Sequence, residues 1–303
     1  MATIGGSTTY ATTARPVDVR TLLAEVDDLP SIPETLIRIL KVIDDPSSGP
    51  ADLTRVVRMD APVMAKVLRL ANSPYYSAHA DLTDINRCLA VLGYRSVRQV
   101  AICITVASSL MSAVENAGGQ LDYRELWRHS VVTGAVARHL ARLTGYPDPE
   151  EAFTAGLLHD LGKFVLEVYA PQTYGRLVRD RHDRGMTMVE VERAAFGFDH
   201  AELGAAFAES WRFPPLLVHA FGEHHQPVLG RATSREGRVT ALVALADHLA
   251  NMVDPPRCDL GFDPAAADPA RLHESAGLTA AEVDGELPAI REDIERAATF
   301  LTL

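Results

Sequence analysis

The stretch GLLHDLGK, residues 156–163, places a histidine directly beside an aspartate in a strongly apolar segment. Ionisable side chains such as His159 and Asp160 are costly to bury unless they find partners. A neighbouring imidazole and carboxylate are both ligands for divalent metals, and the aspartate can bridge two ions while the histidine binds one. The dipeptide therefore predicts further ligands elsewhere in the chain.

Further candidate ligands lie on separate predicted helices or helix ends, and each is flanked by apolar residues. They are His129, with Glu125 one turn earlier, His200 after Asp199, the adjacent His224 and His225, and Asp247. A single buried histidine is more often a hydrogen-bonded core residue than a ligand, and that interpretation is adopted for His79, His139, His182, His219, His248 and His273. For the other five histidines and Asp247 it would have to hold independently on five helices, which favours one common site.

The donor types define the chemistry of such a site. Imidazole and carboxylate without cysteine suit one to three ions of iron, manganese, nickel or zinc, and they do not suit a structural zinc clamp. Two ions roughly 3.5–4 Å apart can activate water and hold phosphoryl oxygens. Asp160 and Lys163 are then the candidate catalytic residues. Two interpretations of Lys163 stay open: it contacts a phosphate oxygen, or it is an ordinary surface lysine.

Composition indicates a folded, cytoplasmic protein. Of 303 residues 47% are hydrophobic, which is ample for a core, and the net charge of −11 without a basic run argues against nucleic-acid binding. Three cysteines without CxxC spacing suit a reducing compartment. The longest apolar run, residues 100–110, is too short for a bilayer, and the N-terminus lacks a signal-peptide core, so no membrane is expected.

Helical periodicity runs through almost the whole chain and predicts an all-α fold. Thr187 and Asp199 are predicted helix caps, and the segment that carries the His-Asp pair is predicted to be one helix. The predicted organisation is a disordered leader (1–17), an N-terminal helical bundle (18–112), a linker (113–122), a helical domain with the candidate ligands (123–255) and a partly helical acidic tail (256–303).

The motif order resembles the HD superfamily, and within it the HDOD proteins of bacterial signal transduction. LPSIPETLIRIL, DAPVMAKVLRLANSPYY, INRCLAVLGYRSVRQV and GFDHAELGAAFAESWRFP are similar to hallmark segments of that family, over residues 25–255. The resemblance implies an N-terminal helical bundle packed on an HD-type helical domain. It also implies a regulatory output role without an established activity.

The related HD-GYP phosphodiesterases hydrolyse cyclic di-GMP with similar ligands. The resemblance implies that Lys163 contacts phosphate, that Glu125 is an extra ligand of three-metal members, and that the metal ligands are His129, His159, Asp160, His200, His224, His225 and Asp247. Those enzymes carry a Glu-Arg stretch and a Gly-Tyr-Pro motif after the paired histidines, whereas this chain reads HHQPVLGRATSREG. Typical cyclic di-GMP hydrolysis is therefore not expected.

Three functional hypotheses follow. The favoured one is a regulator that binds a protein partner in a signalling pathway or a nucleotide second messenger, with Tyr75, Tyr76 and Tyr94 as either core or interface aromatics. The alternative is a metal-dependent phosphohydrolase acting on a nucleotide or phosphate ester. A nucleic-acid-binding regulator draws only on the basic start of SVRQV, and the net charge opposes it.

Overall fold

A computed structural model describes residues 19–25, 31–76, 82–226, 228–260 and 268–302. Within these ranges the chain forms fifteen α-helices, a short 3-10 helix and no strand, which confirms the predicted all-α fold. The predicted leader lies outside the described residues. His79 also lies outside them.

Five helices form the N-terminal part. They are α1 (Val19–Glu25), α2 (Glu34–Asp44), α3 (Pro50–Arg58), α4 (Ala61–Ala71) and α5 (Ile85–Ala117). Helix α5 bends at Gly93, whose φ of 83° is readily adopted by glycine, so the two helices predicted here join across a kink. It continues to Ala117, and the first residues of the predicted linker are therefore helical.

Helix α5 is buried against its neighbours. It is the one helix among the described residues that is long and apolar enough to span a bilayer, with a mean hydropathy of 1.6 in its most apolar window. Of that window, 67% is buried inside the protein, as in the core helices of globular domains. The apolar run at residues 100–110 belongs to this longer helix. The expectation that this segment is too short to span a bilayer is therefore wrong.

The second part carries the candidate ligands. Its helices are α6 (Tyr123–Leu143), α7 (Pro149–Leu158), α8 (Leu161–Tyr169), α9 (Pro171–Arg184), α10 (Met188–Phe196), α11 (His200–Ser210), α12 (Pro215–Glu223) and α13 (Arg235–Val253). The predicted caps are confirmed, since Thr187 and Asp199 accept hydrogen bonds from the backbone nitrogens of Glu190 and Glu202. Helix α6 packs on α7 and α13, while α11 packs on α8 and α12.

The C-terminal tail folds back onto both parts of the molecule. The tail contains helices α14 (Pro269–Ala276) and α15 (Ala280–Ala297) and a 3-10 helix (Ala298–Thr302). Phe300 is fully buried, with its ring 5.1 Å from that of Tyr75 and 4.8 Å from that of Phe153. Tyr75 is therefore a core residue, and the end of the chain joins the N-terminal bundle to the helices that bear the ligands.

An ionic cluster around His139 fastens α15 to α6. The Nδ1 atom of His139 lies 2.9 Å from Asp293 Oδ2 and its Nε2 atom lies 3.1 Å from Glu286 Oε2. Carboxylates only accept hydrogen bonds, so the imidazolium form, with a proton on each nitrogen, satisfies both contacts. Arg142 and Arg296 also face Asp293. The hydrogen bond to Asp293 is the main cause that raises the pKa of His139 above its usual value.

We expect the stabilising effect of this cluster to depend on pH. Because the folded-state pKa is raised, the contribution is fully present below the unfolded value of about 6.5 and is lost as pH rises through the folded-state pKa. Urea unfolding should show that His139→Gln lowers the free energy of unfolding by on the order of 1 kcal/mol more at pH 6 than at pH 9. Equal losses at both pH values would contradict the charged form of the cluster.

Candidate metal centre

The His-Asp dipeptide lies at a break between two helices. Helix α7 ends at Leu158 and α8 begins at Leu161, with Asp160 as its N-terminal flanking residue, so the prediction of one continuous helix is wrong. The break aims both side chains into the interior, where His159 is 0% and Asp160 is 1% exposed. The dipeptide is thus a junction from which two ligands point toward neighbouring helices.

Glycines allow the helices around this junction to approach closely. A Cβ atom at Gly162 would overlap the carbonyl oxygen of His200 and lie 2.9 Å from Gly204 N, so α8 meets α11 backbone to backbone. A Cβ at Gly156 would lie 3.0 Å from the Cα of Gly134, which holds α7 against α6. These contacts bring ligands from α6 and α11 to the His-Asp pair.

Seven of the eight predicted metal ligands converge. They form three overlapping groups, in each of which one ligand atom per residue lies within 4.8 Å of the others: His129, His159 and Asp247; His159, Asp160 and His224; His200, His224 and His225. The first and third groups share no residue. Asp160 lies between them, with Oδ2 3.4 Å from His159 Nε2 and Oδ1 3.4 Å from His200 Nε2.

Backbone carbonyls orient two of the imidazoles. The Nδ1 atom of His159 donates to Gly156 O at 2.7 Å, and the Nδ1 atom of His224 donates to Phe221 O at 2.8 Å. With Nδ1 turned to a carbonyl, the Nε2 atom of each ring faces Asp160 in the cluster. This arrangement is typical of metal-binding histidines, whose second nitrogen is fixed by a hydrogen bond.

Several buried ligand atoms have no hydrogen bond among the described residues. They are Nε2 of His159, Nε2 of His224 and Oδ1 of Asp160. Buried polar atoms are nearly always hydrogen-bonded, because an unsatisfied one costs about 1–3 kcal/mol. Lone pairs that converge on the same region without donors are the arrangement that a cation would satisfy. The residues present therefore fit a divalent metal.

Electrostatics hold Asp160 and His224 in the protonation states that metals require. Burial raises the pKa of the Asp160 carboxyl, but His159, Lys163 and His200 together hold it well below its usual range. Burial, and after it the neighbouring His159, lower the pKa of His224 to about 3. At neutral pH the carboxylate is charged and this imidazole is neutral, as metal coordination demands.

The cluster reaches solvent on one side. His225 is exposed and the side chain of Asp247 is 19% exposed, whereas the remaining members of the three groups are at most 3% exposed. His129 Nε2 lies 2.9 Å from Asp247 Oδ1 and ties this open side to α6.

Of the two other predicted site residues, Lys163 contacts the cluster and Glu125 does not. Lys163 is 2% exposed and its Nζ donates to Asp160 Oδ2 at 2.9 Å, so the reading as a surface lysine is wrong. Glu125 accepts hydrogen bonds from Arg128 Nε and from the backbone nitrogen of Arg257, both at 3.1 Å. The structure does not bring Glu125 into the three groups.

One residue that contacts the cluster was not predicted from the sequence. Glu192 is 0% exposed, and its Oε2 accepts a hydrogen bond from His200 Nδ1 at 2.6 Å. Its signal was present in the pattern of α10, where it shares the inward face with Met188 and Val191 at helical spacing. A carboxylate on an apolar helix face needs an internal partner.

Fold and site together define an all-helical protein with a buried His-Asp ligand cluster. The chain belongs to the HDOD family, because the model of the HDOD domain matches residues 29–227. It is 24% identical over 230 residues to an uncharacterized protein of Treponema pallidum (strain Nichols), a match that covers 76% of this chain and 43% of the relative. The chain thus spans less than half the length of that relative.

Solved structures share the fold over nearly their whole length. An HDOD domain protein of Geobacter sulfurreducens has a TM-score of 0.73 and 24% identity, with coverage of 92% of this chain and 96% of its own. A protein of Shewanella amazonensis SB2B, provisionally named a phosphohydrolase, has a TM-score of 0.70 and 25% identity, with coverage of 92% and 97%. These similarities confirm the predicted helical architecture.

Proposed function

We propose that this chain is a metal-binding regulatory protein that acts by binding a signalling partner protein or a nucleotide second messenger. The observation that carries the metal site is the convergence of buried ligand atoms from His159, Asp160 and His224 that make no hydrogen bond among the described residues. The regulatory role draws on membership of the HDOD family and on the absence of the Gly-Tyr-Pro motif after His225.

The ligand groups suggest two metal positions that share Asp160. One would be held by His129, His159 and Asp247, and the other by His200, His224 and His225. Glu125 is left out because it already pairs with Arg128. When bound, the metal would supply Lewis acidity and a cationic anchor for phosphoryl oxygens. The chain's own residues would orient the imidazoles and keep the Asp160 carboxylate ionised.

A metal-dependent phosphohydrolase is the second candidate, and specific observations favour it. Lys163 is buried beside Asp160, and the cluster opens to solvent at His225 and Asp247. The solved Shewanella protein carries a hydrolase name at 25% identity. Against this candidate, the segment after the paired histidines lacks the phosphodiesterase motif. The regulator is therefore favoured.

Turnover separates the two candidates. Metal-loaded wild type and Asp160→Ala should be incubated with nucleotides, cyclic dinucleotides and phosphate monoesters in the presence of Mn²⁺ or Fe²⁺. The regulator proposal predicts no phosphate release from wild type above that from the variant. It also predicts crosslinks between partner proteins and the surface of the wild-type chain. Metal-dependent turnover that Asp160→Ala abolishes would favour the hydrolase.

A further inference from the structure

Glu192 is a fully buried carboxylate that accepts hydrogen bonds from three donors. Its Oε2 accepts from His200 Nδ1 at 2.6 Å and from the backbone nitrogen of the same residue at 2.9 Å. Its Oε1 accepts from the hydroxyl of Tyr174 at 2.8 Å, and Tyr174 is itself 0% exposed. These three donors fix the carboxylate in one orientation.

Glu192 sets His200 apart from the other oriented imidazoles of the cluster. His159 and His224 donate from Nδ1 to backbone carbonyls, which are neutral dipoles. His200 donates from Nδ1 to a full negative charge. A carboxylate behind an imidazole fixes the tautomer with its lone pair on Nε2 and makes that nitrogen a stronger base. In this chain that nitrogen faces Asp160 Oδ1 and His225 Nε2.

The position of Glu192 allows it to fix backbone and ring together. His200 is the first residue of α11, and its N–H belongs to the donors that a helix leaves unpaired at its start. Glu192 reaches across from α10 and satisfies that N–H with the same oxygen that holds the ring. The two contacts leave His200 little freedom to turn away from the cluster.

We infer that Glu192 is a positioning residue of the metal centre, which fixes the Nδ1–H tautomer of His200 and places a negative charge behind that ligand. This inference rests on the proposed metal site. Its consequence is that Glu192, on α10, contributes to the metal affinity of the position that His200 helps to hold. Apart from the shared Asp160, the other position takes its ligands from α6, the end of α7 and α13, since they are His129, His159 and Asp247.

The test uses Glu192→Gln, which keeps the shape but removes the charge, and Glu192→Ala, which removes both. Glu190→Gln is the matched control, because Glu190 lies on the same helix, is exposed and takes part in the capping box at its start. Zn²⁺ affinity is measured by competition with a chromophoric chelator. We expect losses of about 10-fold for Glu192→Gln and about 100-fold for Glu192→Ala, and no change for the control.

Nitrogen-15 NMR of the histidine rings gives a second readout on metal-free protein. At a pH where the ring is neutral, wild type should show His200 as the Nδ1–H tautomer, and Glu192→Gln should show a mixture. Zn²⁺ affinities of the Glu192 variants within twofold of wild type, or an unchanged tautomer, would overturn the inference alone. If wild type and control bind no Zn²⁺, the proposed metal site fails and the inference fails with it.

Discussion

Replacing Asp160 with alanine is expected to weaken binding of divalent metal by at least about 100-fold. Asp160 lies between the two ligand groups, with one oxygen near His159 and the other near His200, so a single substitution removes a ligand from both positions. The loss of a shared ligand should exceed the 10–100-fold effect typical of outer-sphere changes, about 1.4–2.8 kcal/mol. Isothermal titration with Zn²⁺ or Mn²⁺ measures the change.

The same variant should also destabilise the metal-free fold. It breaks the buried ion pair with Lys163, and loss of one partner of such a pair costs about 3–5 kcal/mol. The double variant Asp160→Ala/Lys163→Met removes both charges and should recover much of that stability without regaining metal affinity. Metal binding by the double variant at wild-type strength would contradict the role given to Asp160.

Gly162→Ala is expected to be the second most damaging substitution, although it adds only a methyl group. The new Cβ would overlap the carbonyl oxygen of His200 and lie 2.9 Å from Gly204 N. Backbone atoms cannot rotate away, so α8 and α11 must separate. Chemical unfolding should show a loss of about 3 kcal/mol or more. Metal affinity should fall too, because the separation moves His200 away from Asp160.

Gly285→Ala is the matched control for this prediction. Gly285 lies within α15 and has nothing within 4 Å of an added Cβ atom. Alanine is a better helix former than glycine by about 0.8–1 kcal/mol, so this variant should be neutral or slightly stabilised. Similar unfolding free energies for Gly162→Ala and Gly285→Ala would show that α8 and α11 are not in the close contact described.

The sequence predicted what depends on residue type and local pattern. Helix caps at Thr187 and Asp199 follow from side chains that bind backbone nitrogens two or three residues later, and both are confirmed. The helical class follows from apolar periodicity over the whole chain. The ligand types could be chosen because imidazole and carboxylate groups in apolar segments need partners. The structure brings seven of the eight chosen ligands into the cluster.

The features that the sequence did not predict depend on contacts between residues far apart in the chain. No local signal shows that α7 stops before His159, because the leucines on either side continue the helical pattern. Glu125 also accepts a hydrogen bond from the backbone nitrogen of Arg257, and nothing in the sequence near Glu125 indicates this contact. The burial of Lys163 depends on α8 packing against α11 and α5. Such facts arise from tertiary packing, which periodicity does not encode.

The most direct test of the account is the metal content of the protein. Wild type and Asp160→Ala should be purified without chelators or an affinity tag and compared by elemental mass spectrometry. The account predicts about one to two equivalents of iron, manganese, nickel or zinc in wild type and loss of this metal in the variant. A well-folded wild type that stays metal-free after incubation with each of these ions would contradict it.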